Sequence, residues 1–409
     1  MSAMLHRLSN GLTVAVDPMA EVETVAVGLY ADVGARSERK GKAGLAHMVE
    51  HMLFKGAGPR DAKAIAEHVE DVGGSLNAWT ARDQTVFHAR LLGGDLALGV
   101  EIIADLVRSA HLAEDELARE KGVVLSELGE ARDTPDDIVF DHLQGAAFPD
   151  QAIGAPVLGD EASIDGFTRD DLTGWLATHY RPESLVLAAA GKVDADALLK
   201  LAEARFGDLP AGGRPEPAPA RYVGGRHADR RKFDQTHVTL AFPTVGLLDP
   251  ALHAIGLFSH AAGGGMSSRL FQEVREARGL AYSIYSWSHH YADAGLFGLY
   301  LAAGQGDAGK ALALAREILT AVADNLDEAE LARAKAYGRA SFLMGLEGVQ
   351  ARCDHLARQI QIHGRIVPAA ESVGQMEAVT LAEARAAGAA AIGGGETLAS
   401  VGGKLKDAA

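Results

Sequence analysis

Cysteine is nearly absent from this chain: Cys353 is the only one among 409 residues. That excludes an internal disulfide framework and any zinc cage built from thiolates. It sits in the run Gln350-Ala-Arg-Cys353-Asp-His and reads as an ordinary helix residue. Positive charge is also short, with 39 Lys and Arg against 55 Asp and Glu, a net charge of −16 and a pI near 5.4. An acidic excess of that size argues against nucleic acid and against an anionic membrane surface as partners. It suits cationic or extended peptides. No uninterrupted apolar run reaches the ~18 residues of a membrane span. The N-terminal run Met1 to Gly11 has no apolar signal-peptide core, so the cytoplasm is the expected location.

Proline is sparse too, 13 in all, yet four fall within residues 207–221 beside three glycines. Such a stretch reads as a linker. Length agrees, because 409 residues exceed one ordinary core. The expected division is a first domain over 1–206, a linker over 207–222 and a second domain over 223–409.

In the first half, Asn10-Gly11 is a tight-turn signal before a strand at Leu12–Val16. Further extended pieces are expected at Thr24–Ala31, Ser75–Thr80, Gln84–Leu92 and Ser184–Ala190. Helices are expected over Leu45–Lys55, Asp61–Val72, Leu96–Ala110, Glu114–Ala131 and 168–179. The second half repeats this grammar. It reads as strand His237–Phe242, helices Pro250–Ala262 and Ser267–Ala277, strands Ala281–Ser288 and Gly295–Ala302, helix Gly309–Asn325 and a long helical region over 328–363. The basic run Arg230-Arg-Lys232 reads as a solvated strand entry. Strand-then-helix blocks used twice imply an α+β chain of two related domains, each a sheet covered by helices.

The chemistry concentrates in Gly44-Leu-Ala-His47-Met-Val-Glu50-His51-Met-Leu-Phe54-Lys-Gly56. On a helix, His47, Glu50 and His51 project from one face. Two imidazoles one turn apart can grip a zinc ion, and the carboxylate beside them can take a proton from a water that the ion polarises. The order H-x-x-E-H is the inverted form of the H-E-x-x-H zinc motif. A solvated helix face is the plain alternative for five such letters alone. Two histidines leave zinc short of one protein ligand. The helix Glu114–Ala131 offers Glu120, Glu127 and Glu130, and spacing does not choose among them.

The runs Asn10-Gly11-Leu12, His47 to Gly56, Gly73-Gly-Ser-Leu-Asn77-Ala-Trp-Thr80 and Glu120-Lys-Gly-Val-Val-Leu-Ser-Glu127 together resemble the pitrilysin/insulinase family of zinc peptidases. Within it, the similarity is greatest to the short-chain branch that holds the mitochondrial processing peptidase β-subunit and its bacterial relatives. Gly263-Gly-Gly-Met-Ser-Ser-Arg-Leu-Phe-Gln-Glu-Val-Arg275 and Tyr282 extend the resemblance over essentially the whole chain. It implies one Zn²⁺ per chain on His47, His51 and Glu127, which lies 76 positions past His51. It implies Glu50 as the base that takes the water's proton and passes it to the leaving amine, with Glu120 as an accessory glutamate.

The resemblance also implies that Asn77-Ala78-Trp79-Thr80 is an edge strand onto which a peptide substrate adds by main-chain hydrogen bonds. Arg275 and Tyr282 match a pair that holds substrate main chain and the oxyanion; the plain alternative is a salt-bridge former and a core residue. Gly263-Gly-Gly265 is not a phosphate loop, since no Gly-Lys-Ser/Thr follows. Relatives of double length fold two such halves around a clamshell chamber, so this chain is expected to form half of one. A homodimer with two shared sites is expected, or else a heterodimer with a degenerate sister subunit. The competing functions are a non-catalytic subunit and a peptide-binding chamber without cleavage.

Overall fold

Asn10-Gly11 turns the chain between strands β1 (Met4–Arg7) and β2 (Thr13–Pro18), which pair antiparallel with Met4 opposite Val16. Gly11 has φ +100°, a backbone conformation that costs glycine little. The Asn10 carboxamide accepts from the Leu12 N–H at 3.1 Å and donates to the Phe206 carbonyl at 2.7 Å. This is a computed structural model, and it describes residues 3–405.

Two compact units emerge. The first comprises residues 1–128, 155–218 and 344–367. Its sheet adds β3 (Thr24–Ala31), β6 (Ser75–Thr80), β7 (Thr85–Leu92) and β8 (Leu185–Gly191) in the order β1-β2-β8-β3-β7-β6. A two-stranded ladder, β4 (Gly56–Ala57) with β5 (Arg60–Asp61), stands apart from it. Only β2 and β8 run parallel; the other neighbours are antiparallel.

Side chains alternate across a strand, and the two faces of this sheet are built differently. Val14, Val16, Val25, Val27, Leu29 and Leu187 face one core, with helices α1 (Leu45–Leu53) and α3 (Leu96–Arg108). The opposite face shows mainly small residues, Ala15, Ala26, Ala188 and Ala190, and packs on α12 (Val349–His363) through Val349, Cys353, Leu356, Ala357 and Ile360. Cys353 is therefore a buried helix residue, as expected. Helices α2 (Ala62–Glu70), α4 (Glu114–Asp133), α6 (Glu161–Asp165), α7 (Arg169–His179) and α8 (Ala195–Phe206) complete the first half of the chain apart from α5.

The second unit comprises residues 129–154, 219–343 and 368–409, of which the structure describes those up to 405. Its strands are β9 (Gly225–Asp229), β10 (Gln235–Thr244), β11 (Ser283–His290), β12 (Gly295–Gly304) and β13 (Thr397–Val401), in the order β11-β12-β10-β13-β9. Read from the other end, β9-β13-β10-β12-β11 repeats β2-β8-β3-β7-β6, with the same single parallel pair. One face carries α9 (Leu252–Gly263), α10 (Ala308–Asn325) and α14 (Leu381–Gly393). The other receives α5 (Pro135–Ala147) through Ile138, Val139, Leu143 and Ala147. Helices α11 (Glu328–Gly345) and α13 (Ala369–Ala378) complete it. Helices α7 and α14 even share a capping box, Thr168 with Asp171 and Thr380 with Glu383.

The duplication thus appears in strand order as well as in element order. The units are not contiguous, however. Each sheet takes one covering helix from the other half of the sequence, which the division into 1–206 and 223–409 did not foresee. Other differences are local. The helical region over 328–363 is two helices, parted at Leu346–Gly348. The helix expected over Ser267–Ala277 is a π-helical stretch, Phe271–Glu276. Tyr282 precedes β11 rather than lying within it. Among the described residues no helix is long and apolar enough to cross a membrane.

Candidate metal centre

Helix α1 separates its residues by face. Leu45, Ala46, Met48, Val49, Met52 and Leu53 are buried in the core, which turns His47, Glu50 and His51 to the opposite side. Its start is held by Glu38, whose carboxyl oxygens accept from the Gly44 N–H at 3.0 Å and the Ala46 N–H at 2.8 Å. Burial pushes the Glu38 carboxyl up to about 8, against the pull of those backbone N–H groups. Gly44 sits at φ +89°, and a Cβ there would stand 2.6 Å from the Leu158 carbonyl oxygen.

Helix α4 supplies the remaining acid. Leu117, Val124 and Leu128 anchor it in the core, and Glu120 and Glu127, seven apart, fall on nearly the same side. One ligand atom each from His47, His51 and Glu127 lies within 4.8 Å of the others. Glu127 Oε2 is 3.8 Å from His47 Nε2 and 3.6 Å from His51 Nε2. Ligands about 2.0–2.1 Å from a tetrahedral zinc stand roughly 3.3–3.4 Å apart, and the two Glu127–histidine distances exceed that spacing by only a few tenths of an ångström. Two imidazoles and a carboxylate with an open fourth position are the donor set of a catalytic zinc site. Burial, and secondarily the neighbouring His51, lowers His47 to about 4. His47 is therefore the neutral imidazole that metal binding requires at neutral pH.

The three glutamates of α4 differ in position. Glu127 joins the histidines. Glu120, only 4% exposed, lies behind His51, its Oε2 3.0 Å from Nδ1, while its Oε1 meets Lys55 Nζ at 2.8 Å. Glu130 is exposed and stays outside the converging group. Glu50 accepts from the Thr80 hydroxyl at 2.5 Å. Burial raises the Glu50 carboxyl; Glu127 adds to this, while Thr80 and His51 oppose it.

Among the described residues, strand β6 pairs with β7 alone and forms an edge of its sheet. Ser75, Asn77 and Trp79 point outward, while Leu76, Ala78 and Thr80 are half-buried. The edge therefore runs to Thr80, the residue that touches Glu50. In the second unit, the Arg275 guanidinium sits 4.7 Å from the Phe271 ring centroid and 4.5 Å from that of Tyr282. Tyr282 is 74% exposed. Arg275 closes the π-helical turn, and Gly263 lets α9 approach β11: a Cβ there would lie 2.6 Å from the Ser286 nitrogen. Sequence reasoning gave Lys55 no role and missed the Thr80–Glu50 contact. Lys55 was within reach, being four residues past His51 and so on the same helix face. The hydroxyl contact joins a strand to a helix and leaves no local signal.

A family model described as "Insulinase (Peptidase family M16)" matches residues 13–161, and one described as "Peptidase M16 inactive domain" matches 166–337. The chain is 35% identical over 364 residues to an "Uncharacterized zinc protease" of Rickettsia bellii, covering 89% of this chain and 88% of the relative. It is 34% identical over 385 residues to the "Mitochondrial-processing peptidase subunit beta" of Rattus norvegicus, covering 91% and 78% respectively. The fold matches a Helicobacter pylori protease at TM-score 0.89, with 22% identity and coverage of 98% and 99%. It also matches a Pseudomonas fluorescens structure titled as a peptidase M16 inactive domain at TM-score 0.90, with 21% identity and coverage of 99% and 98%.

Proposed function

Because this chain belongs to the insulinase family of peptidases, M16, we propose that it is a zinc-dependent endopeptidase acting on extended peptide segments. The observation that carries this reading is the convergence of His47, His51 and Glu127 beside Glu50. Zinc bound there supplies a Lewis acid that brings the pKa of water down to about 7. Glu50 takes the proton of the attacking water and returns it to the leaving amine. Thr80 holds one oxygen of Glu50 and so leaves the other for the proton. The free edge of β6, from Ser75 through Asn77, Ala78 and Trp79, receives the substrate as an added strand. Pairing through main chain reads little of a substrate's side-chain sequence.

Arg275 and Tyr282 serve the oxyanion side, and in this reading they come from a second copy. Two copies enclose a chamber with two shared sites. The exposure of Tyr282 and the ring-flanked Arg275 support that role. A second reading, a subunit active only with a partner chain, is favoured by the rat relative's being a β subunit and by the "inactive domain" description matched by residues 166–337.

The test is Glu50→Gln on a quenched peptide, with zinc measured per chain. The proposed function expects full zinc and cleavage reduced by about 10²–10⁴-fold. Undiminished cleavage in that variant would sink it. A zinc-loaded parent that cleaves only after a second protein is added would favour the partner-dependent reading.

A further inference from the structure

The two histidines of the metal group are backed unequally. His51 Nδ1 faces Glu120 at 3.0 Å, whereas His47 Nδ1 is buried with no hydrogen-bond partner among the described residues. Glu120 itself is enclosed, and a carboxylate so placed is tolerated only when both oxygens are engaged. Both oxygens are engaged: Oε2 meets His51, and Oε1 meets the Lys55 ammonium at 2.8 Å. The Lys55 main chain is held where α1 ends, its backbone N–H donating to the Met52 carbonyl at 3.2 Å, and from there the half-buried side chain reaches Glu120. Lysine, carboxylate and imidazole therefore form a short file that ends at His51 Nε2, the atom 3.6 Å from Glu127.

We propose that Lys55 is a positioning residue for the metal seat: its ammonium pins one oxygen of Glu120, so that the other fixes the His51 ring with Nδ1 protonated and Nε2 turned toward the metal. The proposal rests on the zinc reading above. It makes His51 the pre-oriented ligand and His47 the one that settles only when metal arrives. Without the ammonium, Glu120 has lost the contact that sets its rotation, and the seat has no fixed ring. A carboxylate behind a ligating histidine is worth about 10- to 100-fold in metal affinity; removing its clamp should cost a similar factor.

The experiment compares the full-length parent with Lys55→Met and Lys55→Arg. Zinc affinity is read by chelator competition, His51 tautomer by ¹⁵N resonances of the metal-free protein, and fold by thermal melting. The expected result is zinc affinity about 10- to 100-fold weaker in Lys55→Met, a metal-free His51 that loses its Nδ1–H preference, and recovery of both in Lys55→Arg. Unchanged affinity with an unchanged tautomer overturns the proposal. So does a loss of affinity that tracks a fallen melting temperature and is not recovered by arginine. If the parent binds zinc but cleaves nothing, the peptidase reading fails and the affinity comparison still decides on Lys55. If the parent binds no zinc, the tautomer comparison decides alone.

Discussion

Glu38 is a buried acid at the head of the helix that carries the metal group, and burial lifts it to about 8. A carboxyl raised in the folded state binds its proton more tightly there than in the unfolded chain. Its stabilising contribution is complete below the ordinary value near 4.5 and is lost as pH rises through about 8. Metal-free parent protein should therefore lose melting temperature between pH 5 and 9 (roughly the window set by those two values) more steeply than Glu38→Gln. Parallel curves for the two proteins would show that Glu38 does not titrate in that range. Residues of this kind were illegible in the sequence, because nothing local marks Glu38 as buried. His47, Glu50 and His51 were legible, because helical spacing alone places them together. Glu127 needed the family resemblance, since spacing along α4 left Glu120 and Glu130 equally open.

Among elements, α1 depends most on a single backbone position. Gly44 begins the helix in the left-handed region, with the Leu158 carbonyl where a side chain would stand. Gly44→Ala should destabilise the chain by about 1–3 kcal/mol, read from the denaturant midpoint, and should weaken zinc uptake because the helix start must move. An alanine variant with a parental midpoint would show that the loop around Leu158 yields freely. Helices with a strong apolar stripe, such as α3, were legible from periodicity. Helix α5 was not: Pro135 reads as the end of α4, yet proline at a first helical position also starts a helix. Strand β9, Gly-Arg-His-Ala-Asp, has no apolar alternation to betray it. Helix α14 is mainly alanine and glycine, without a one-sided pattern.

At the scale of the whole molecule, the proposed shared site makes a claim about mixing. A Glu50→Gln chain lacks the base, and a Tyr282→Phe chain lacks the donated hydroxyl. If these two contributions come from different copies of a two-fold dimer, each mixed pair holds one doubly damaged site and one intact site. Random exchange should then restore about a quarter of parental activity, since half the dimers are mixed and one of their two sites is whole. A mixture no more active than its components would place base and hydroxyl in the same copy, or show that the chains do not exchange.

The crossing-over of α5 and α12 has a consequence for how this chain can be divided. A cut at the boundary between Ala218 and Pro219 would yield two polypeptides, each with a bare sheet flank and a surplus amphipathic rod. Neither fragment is a self-sufficient module, although the strand plans are twins.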